Sequence, residues 1–255
     1  MLRALLAHPL TRQIDIDDPR TTVLRRQIIE SKPFLLRVYD EWYRLLAADM
    51  PVGNGPVLEL GSGAGFLKKY LPHLLTSEIF ACPGMDVVLD GQQMPFADAS
   101  LRGIVMTDVF HHIPHARRFL AEAGRCVGGG GVIAMIEPWV SAWSKFVYRR
   151  LHHEPFEINA PSWEFPSTGP LSGANGALPW IVFERDRDAF EREFSQWKIE
   201  RIKPLMPIAY VLSGGVSLRS LMPGWSYGPW RRVEGIFDRY NKSLAMFAHI
   251  VLRRM

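Results

Sequence analysis

Cysteine is nearly absent from this sequence, which contains only Cys82 and Cys126 in 255 residues. A small secreted protein that is stabilised by disulfides needs several cysteine pairs. The 47% of hydrophobic and 22% of charged residues are typical of a chain that buries its own core. We therefore expect a globular protein of a reducing compartment, the cytoplasm, rather than a disulfide-rich, disordered or fibrous one.

Long hydrophobic runs are also missing. No run of about 18 or more predominantly apolar residues occurs, so no membrane-spanning helix is predicted. The apolar stretch Met1–Leu10 is interrupted by Arg3, His8 and Pro9, and this interruption argues against a secretory signal. Any contact with a membrane is thus expected to be peripheral.

Dense clusters of lysine and arginine do not occur either. The net charge is +4, and from Arg201 onward nine lysines or arginines are accompanied by only two acidic residues, Glu234 and Asp238. This mildly basic segment suits a solvated surface, an anionic substrate or a membrane surface, but it is too sparse for a nucleic-acid footprint. No nucleic-acid partner is expected.

The tract 204–232 is mostly uncharged. Arg219 is its only charge before Arg231 and Arg232, and its end is rich in tryptophan and tyrosine. Aromatic residues beside arginines suit a membrane interface. The same composition suits a cap over an apolar substrate or ordinary core packing, and the sequence leaves the three uses open.

Short apolar runs alternate with helical spacing from residue 56 onward, which predicts strand-helix units and a parallel sheet. The predicted strands cover 57–60, 74–78, 87–89, 103–107, 132–136, 197–202 and 245–252. The predicted helices cover 21–30, 33–48, 66–71, 116–127, 188–195 and 229–240. The uncharged stretch 165–183 is rich in Gly, Pro, Ser and Asn and is predicted to be loop.

The most informative segment is Val57–Gly65, an apolar strand that leads into three alternating glycines. Glycines at such a strand end let the backbone turn tightly and approach a nucleotide-like ligand. The dinucleotide-binding motif GxGxxG needs a third glycine at the position of Phe66. A phosphate-binding P-loop needs a serine or threonine directly after its lysine, whereas Lys68 is followed by Lys69. Both of these nucleotide sites are therefore disfavoured.

The segment ELGSGAG at 59–65 resembles the first motif of class I S-adenosylmethionine-dependent methyltransferases, in particular the type 11 small-molecule enzymes. The resemblance continues over 56–138, through LDGQQMPF at 89–96, DVFHH at 108–112 and GGGGVIAMIEP at 128–138. It implies a Rossmann-like, doubly wound α/β fold with a mostly parallel seven-stranded sheet. It also implies S-adenosyl-L-methionine as the cofactor.

The resemblance assigns a cofactor-binding set. Glu59 would support the methionine end, Glu78 the ribose hydroxyls and Asp90 the adenine side. Only residues 79–86 separate the second and third strands, so the helix that usually connects them is expected to be lost or reduced to a turn. The complete implied set is Glu59, Gly61, Ser62, Gly63, Gly65, Glu78, Asp90, Gly91 and Asp108.

Three polar residues after the fourth strand are candidates for acid-base catalysis, namely Asp108, His111 and His112. Imidazoles can take a proton from a substrate hydroxyl or amine, and they can also simply line a pocket. No metal is expected, because Cys82 and Cys126 are isolated from the histidines and no further ligand with recognisable spacing is found.

The sequence predicts one methyltransferase domain over 1–255. It would comprise a helical cap (1–50), a cofactor-binding core (56–138), an insertion or lid after strand five (139–196) and C-terminal strands and a helix (197–255). The expected function is in-line methyl transfer to a small-molecule or lipid-like acceptor. The alternatives are a non-catalytic Rossmann-fold binding or scaffold protein, with or without peripheral membrane contact, and a nicotinamide-dependent oxidoreductase.

Overall fold

A computed structural model describes residues 17–63, 65–151, 154–167, 169 and 173–255. Seven strands form one sheet, and their bounds are β1 Val57–Leu60, β2 Leu74–Glu78, β3 Val87–Val88, β4 Leu101–Thr107, β5 Val127–Pro138, β6 Trp197–Leu205 and β7 Phe247–Arg254. Within the described ranges, no helix is both long and apolar enough to cross a membrane. Cys82 and Cys126 are both free thiols.

The sheet has the order β3-β2-β1-β4-β5-β7-β6. Its first five strands pair in parallel, while β7 runs antiparallel to both β5 and β6. Chain order reverses beside β1, because β2 lies on one side of it and β4 on the other. The predicted Rossmann-like, mostly parallel seven-stranded α/β fold is confirmed.

Helices cover both faces of the sheet, and their bounds are α1 Arg20–Ser31, α2 Pro33–Asp49, α3 Ala116–Cys126, α4 Ala142–Leu151, α5 Leu178–Trp180, α6 Arg187–Glu193, α7 Ala209–Ser213, α8 Tyr227–Ile236 and α9 Asn241–Leu244. In α3, Phe119, Leu120 and Ala123 are fully buried. Their spacing of three and four residues puts them on one face, which explains why this helix was predictable.

The N-terminal helix α2 packs on the end of the sheet through aromatic side chains. Pro33 stands in its first turn, where the missing N–H costs nothing. The Trp42 ring lies 4.7 Å from the Phe247 ring and 5.7 Å from the Tyr210 ring, measured between centroids. The cap is thus joined to β7 and to α7.

The first 16 residues of the predicted cap, including Met1–Leu10, lie outside the described residues. The predicted division of the domain into cap, core, insertion and C-terminal part stays a prediction.

The helix predicted at 66–71 is wrong. Only a single 3-10 turn, Leu67–Lys69, follows the glycine loop. Pro72 follows directly in the chain, and a proline disfavours helical backbone in the residue before it. The loop therefore has no α-helix N-terminus to aim at a ligand. As predicted, residues 79–86 contain no helix.

Other boundaries differ because packing overrides local composition. Strand β5 begins at Val127 rather than 132, since Val127 pairs with Leu101 and the glycine run continues the strand past a register shift. The predicted loop at 165–183 contains α5 and the start of a π-helical turn, Ile181–Arg185. Phe183 is fully buried there, 5.3 Å from the Phe110 ring, and burial of this kind stabilises short helices.

Candidate functional site

A cavity of about 690 Å³ lies at the carboxyl ends of the parallel strands. Ligands of open α/β sheets bind at this edge, next to the point where strand order reverses. Residues at or just after the ends of β1, β2, β3 and β4 form one part of the wall. The cap helix α2, the insertion and the segment 210–218 form the other part. The cavity is therefore bounded by the sheet edge on one side and by the added segments on the other.

The glycine loop after β1 brings its backbone to the cavity. Gly61 has a φ of +64°, and a Cβ atom there would lie 2.7 Å from Cγ2 of Val109, so no larger residue fits without movement. Ser62 Oγ accepts a hydrogen bond from the N–H of Ser77 on β2 at 3.0 Å, which fixes the loop. Gly61, Ser62 and Gly63 line the cavity as predicted, whereas Gly65 is not part of the wall.

Glu59 is a buried carboxyl group aimed at the cavity. It is 3% exposed and lines the wall, and its Oε2 atom has no hydrogen-bond partner among the described residues. Burial raises the pKa of Glu59 to about 8, against a smaller opposing effect of a hydrogen bond from Ser62. A buried, unpartnered carboxyl oxygen is costly in a folded protein unless something pairs with it. Its position therefore indicates a ligand with a positive charge or a hydrogen-bond donor.

Glu78 lies at the end of β2 and connects that strand to the glycine loop. Its Oε1 atom accepts the N–H of Gly63 at 2.7 Å, and its side chain faces the same cavity. Burial raises the pKa of this carboxyl, while the Gly63 N–H acts in the opposite direction. The short connection after β2 thus leaves Glu78 where the sequence predicted it.

Asp90 and Gly91 lie in the wall after β3. Asp90 is exposed, and its Oδ1 accepts hydrogen bonds from the backbone N–H of Gln92 at 2.8 Å and from its side-chain amide at 3.1 Å. A Cβ atom on Gly91 would lie 2.8 Å from Cδ2 of Leu60. Gly91 is therefore needed for close packing on the end of β1, and Asp90 shapes its own turn as well as facing the cavity.

Carboxyl groups give this end of the cavity its chemical character. Glu59, Glu78 and Asp90 come from three neighbouring strands and share one wall. The ionised forms of these groups would repel a pyrophosphate. A ligand that carries an ammonium group and hydroxyl groups suits them, since carboxylates accept hydrogen bonds from N–H and O–H donors alike.

A second polar group follows β4. Asp108 has a φ of +62°, which is uncommon for a residue other than glycine. Glu137, at the end of β5, is fully buried and accepts the N–H groups of Val109 and Phe110 at 2.8 and 2.7 Å through its Oε1. Its Oε2 accepts from Nδ1 of His111 at 2.8 Å. Glu137 therefore fixes the turn that carries the predicted catalytic residues.

The two histidines converge on one carboxylate from the insertion. Nε2 of His111 lies 3.4 Å from Oε2 of Glu154, and Nε2 of His112 lies 3.8 Å from Oε1 of Glu154. Burial opposes charge on His111, but Glu137 and Glu154 outweigh it and raise its pKa well above the usual value. Burial and the neighbouring His111 lower the pKa of His112 to about 3. Burial also raises the pKa of Asp108 to about 6.

Two of the three predicted catalytic residues line the cavity, and one does not. Asp108 and His112 line the cavity, whereas His111 lies behind them against Glu137. Glu154 also lines it and was missed by sequence reasoning, because nothing in the sequence of the insertion relates that residue to β4. Glu137 was missed too, although a carboxylate at the end of an apolar strand is a recognisable signal of a buried partner.

The rest of the wall is largely apolar and aromatic. It includes Tyr39 and Tyr43 from α2, Tyr148 from α4, and Tyr210 and Met246 from the C-terminal part. Part of the tract 204–232 therefore covers the cavity, which is one of its three predicted uses. Trp225 of the same tract is 82% exposed, and membrane contact there stays a prediction.

Comparisons with known proteins agree on one type of domain. Residues 58–135 match the family model described as a methyltransferase domain. Phthiotriol/phenolphthiotriol dimycocerosates methyltransferase of Mycobacterium tuberculosis is 31% identical over 113 residues, 37% of this chain and 42% of the relative. The match thus spans less than half the length of that relative.

Solved structures show the same fold at low sequence identity. Geranyl diphosphate C-methyltransferase from Streptomyces coelicolor A3(2), crystallised with Mg²⁺, geranyl diphosphate and S-adenosyl-L-homocysteine, aligns with a TM-score of 0.54 and 12% identity over 98% of this chain and 90% of that one. A geranyl diphosphate methyltransferase in complex with SAM aligns with a TM-score of 0.52 and 13% identity over 96% and 94%.

Proposed function

We infer that this chain transfers a methyl group from S-adenosyl-L-methionine to a small, largely apolar acceptor. Its residues 58–135 match the methyltransferase-domain family model, and its fold is that of the class I enzymes. The observation that carries this proposal is the carboxyl oxygen of Glu59 beside the glycine loop, which no described residue partners with a hydrogen bond. A cofactor with both a sulfonium and an ammonium group supplies a positively charged partner for this oxygen.

The residues at the cofactor end have distinct proposed roles. Glu78 would accept hydrogen bonds from the ribose hydroxyls, because its carboxylate is held by the Gly63 N–H and faces the cavity. Glu59, with Gly61 and Ser62, would hold the methionine end, and Asp90 with Gly91 would border the adenine. Asp108 would lie between this end and the acceptor.

The bound cofactor supplies an electrophilic methyl group. The protein then has to hold a nucleophile in line with that methyl and keep water away. The tyrosines and Met246 of the wall exclude water and favour an apolar, small-molecule or lipid-like acceptor. Polar atoms of Asp108, His112 and Glu154 form the part of this wall that can orient a single reacting hydroxyl or amine and take up its proton.

Calorimetric titration tests the proposal through both affinity and proton release. A positively charged ligand stabilises the ionised form of Glu59 and lowers its pKa from about 8 in the free protein. Binding of S-adenosylmethionine at pH 7 should therefore release a proton. Its affinity should rise between pH 6 and 7.5, by at most about tenfold per pH unit.

Buffers with different ionisation enthalpies measure that proton release, and Glu59→Gln provides the matched control because its amide has the same shape and cannot titrate. The variant should bind more weakly and release no proton from this site. The proposal is wrong if neither S-adenosylmethionine nor S-adenosylhomocysteine binds below millimolar concentration. Binding of NADH in their place would favour the nicotinamide-dependent oxidoreductase.

A further inference from the structure

Three potential metal ligands meet at the inner wall of the cavity. His111, His112 and Glu154 each offer one donor atom, and these atoms lie within 4.8 Å of one another. The side chains are well shielded from solvent, at 1%, 10% and 15% exposure. Two of them follow β4, while the third comes from the insertion, so the cluster joins segments that are far apart in the sequence.

The hydrogen bonds of the two imidazole rings determine which nitrogens are available. Nδ1 of His111 contacts Glu137 at 2.8 Å, and Nδ1 of His112 contacts the carbonyl oxygen of Gly173 at 3.2 Å. A carbonyl and a carboxylate accept hydrogen bonds and do not donate them, so both Nδ1 atoms carry the hydrogen. Metal-binding histidines are oriented by an outer carboxylate or carbonyl in this way.

This arrangement turns two Nε2 atoms toward the same carboxylate. A proton on Nε2 of His111 satisfies its contact with Glu154 at 3.4 Å. It leaves the Nε2 lone pair of His112 facing another oxygen of Glu154 at 3.8 Å. Moving the His112 hydrogen to Nε2 would instead set its Nδ1 lone pair against the Gly173 carbonyl. A cation that replaces the proton between the three side chains accepts the Nε2 lone pairs of both histidines and is balanced by the charge of Glu154.

The spacing suits a small divalent ion. Zinc binds histidine nitrogen and carboxylate oxygen at about 2.0–2.2 Å, and tetrahedral ligands at that distance lie about 3.3–3.6 Å apart. The distance from Nε2 of His111 to Oε2 of Glu154 is 3.4 Å, close to this value, and the distance from Nε2 of His112 to the other oxygen, Oε1, is 3.8 Å. One donor atom from each of the three residues lies within 4.8 Å of the other two, so small side-chain movements suffice to close around an ion. Imidazole and carboxylate together suit zinc, iron and other first-row transition metals rather than calcium or magnesium.

We propose that His111, His112 and Glu154 bind a divalent transition-metal ion of the zinc type, with one coordination position open to the cavity. Three protein ligands and an open position are typical of a catalytic rather than a structural zinc site. The ion connects the insertion, through Glu154, to the turn after β4, through His111 and His112. If the proposed function holds, it also orients an oxygen of the acceptor beside Asp108.

Metal analysis of the purified chain, prepared without a histidine tag, tests this site directly. After treatment with a chelator and dialysis against Zn²⁺ or Co²⁺, we expect one tightly bound ion per chain. His112→Ala and Glu154→Ala should each weaken binding by more than about 100-fold, the upper end of what loss of an outer-shell partner costs. The visible spectrum of the Co²⁺ form should change when azide is added, because azide would bind the ion at its open coordination position.

His115→Ala is the matched control, because His115 pairs with Glu164 at 3.6 Å outside the cluster and should keep the ion. The circular dichroism spectrum and the urea-unfolding midpoint of each variant report that the fold is intact. The proposal is overturned if no ion is retained, if His112→Ala and Glu154→Ala retain it as the wild type does, or if azide leaves the spectrum unchanged. A wild-type chain that retains the ion but does not bind S-adenosylhomocysteine would contradict the proposed function and leave the metal site standing.

Discussion

Replacing Glu78 by alanine is expected to weaken the binding of S-adenosylmethionine by about 10- to 150-fold. Hydrogen bonds to charged groups contribute about 1.5–3 kcal/mol each, and about 1.4 kcal/mol corresponds to a factor of ten. The substitution removes the proposed ribose acceptor and also frees the N–H of Gly63, which now donates to it at 2.7 Å. Isothermal titration calorimetry measures the change directly.

Two further variants make this prediction specific. Glu78→Gln keeps the shape and one acceptor oxygen, so its loss of affinity should be smaller than that of the alanine variant. Glu191→Ala removes an exposed carboxylate that pairs with Arg187 on α6 and should leave binding unchanged. Equal affinity of Glu78→Ala and the wild type would remove Glu78 from the site.

Replacing Trp42 by alanine should lower the free energy of unfolding by about 3–5 kcal/mol, the usual cost of truncating a buried tryptophan. Trp42 is completely buried and packs on Tyr39, Tyr210 and Phe247. Typical domains have only about 5–15 kcal/mol in total, so this one change removes a large part of the stability. Urea unfolding monitored by circular dichroism measures it.

The same substitution at Trp225 is the control, because that side chain is 82% exposed. Its effect should stay within about 0.5 kcal/mol. Trp42→Phe should fall between the two, since it keeps most of the packing and removes an indole N–H that has no partner among the described residues. Similar losses at both tryptophans would show that α2 does not anchor the cap in the way the contacts indicate.

The fold was largely predictable where burial and local pattern agree. Val57–Leu60 is fully buried and apolar apart from Glu59, and the glycines after it mark its end. The antiparallel direction of β7 against β5 and β6 was not predicted, because an apolar run does not show which way its strand points. The helix at 66–71 failed because Pro72 disfavours helical backbone in the residue before it, and only the 3-10 turn Leu67–Lys69 forms ahead of it.

The part of the candidate site that is proposed to hold the cofactor was predictable for a similar reason. Glu59, Glu78 and Asp90 follow strands whose order the motifs indicate, and the structure brings all three to one cavity. The part proposed to face the acceptor includes Glu154, which contacts His111 and His112 from a distant insertion. Contacts of that kind are set by tertiary packing and leave no periodic signal in the sequence.

A crystal structure of the protein with S-adenosylhomocysteine tests the central claim most directly. We expect the nucleoside in the cavity at the ends of β1 and β2, with the ribose hydroxyls hydrogen-bonded to Glu78 and the amino-acid end beside Glu59 and Gly61. A nucleoside bound elsewhere, or a cavity that remains closed to it at saturating concentration, would contradict the account.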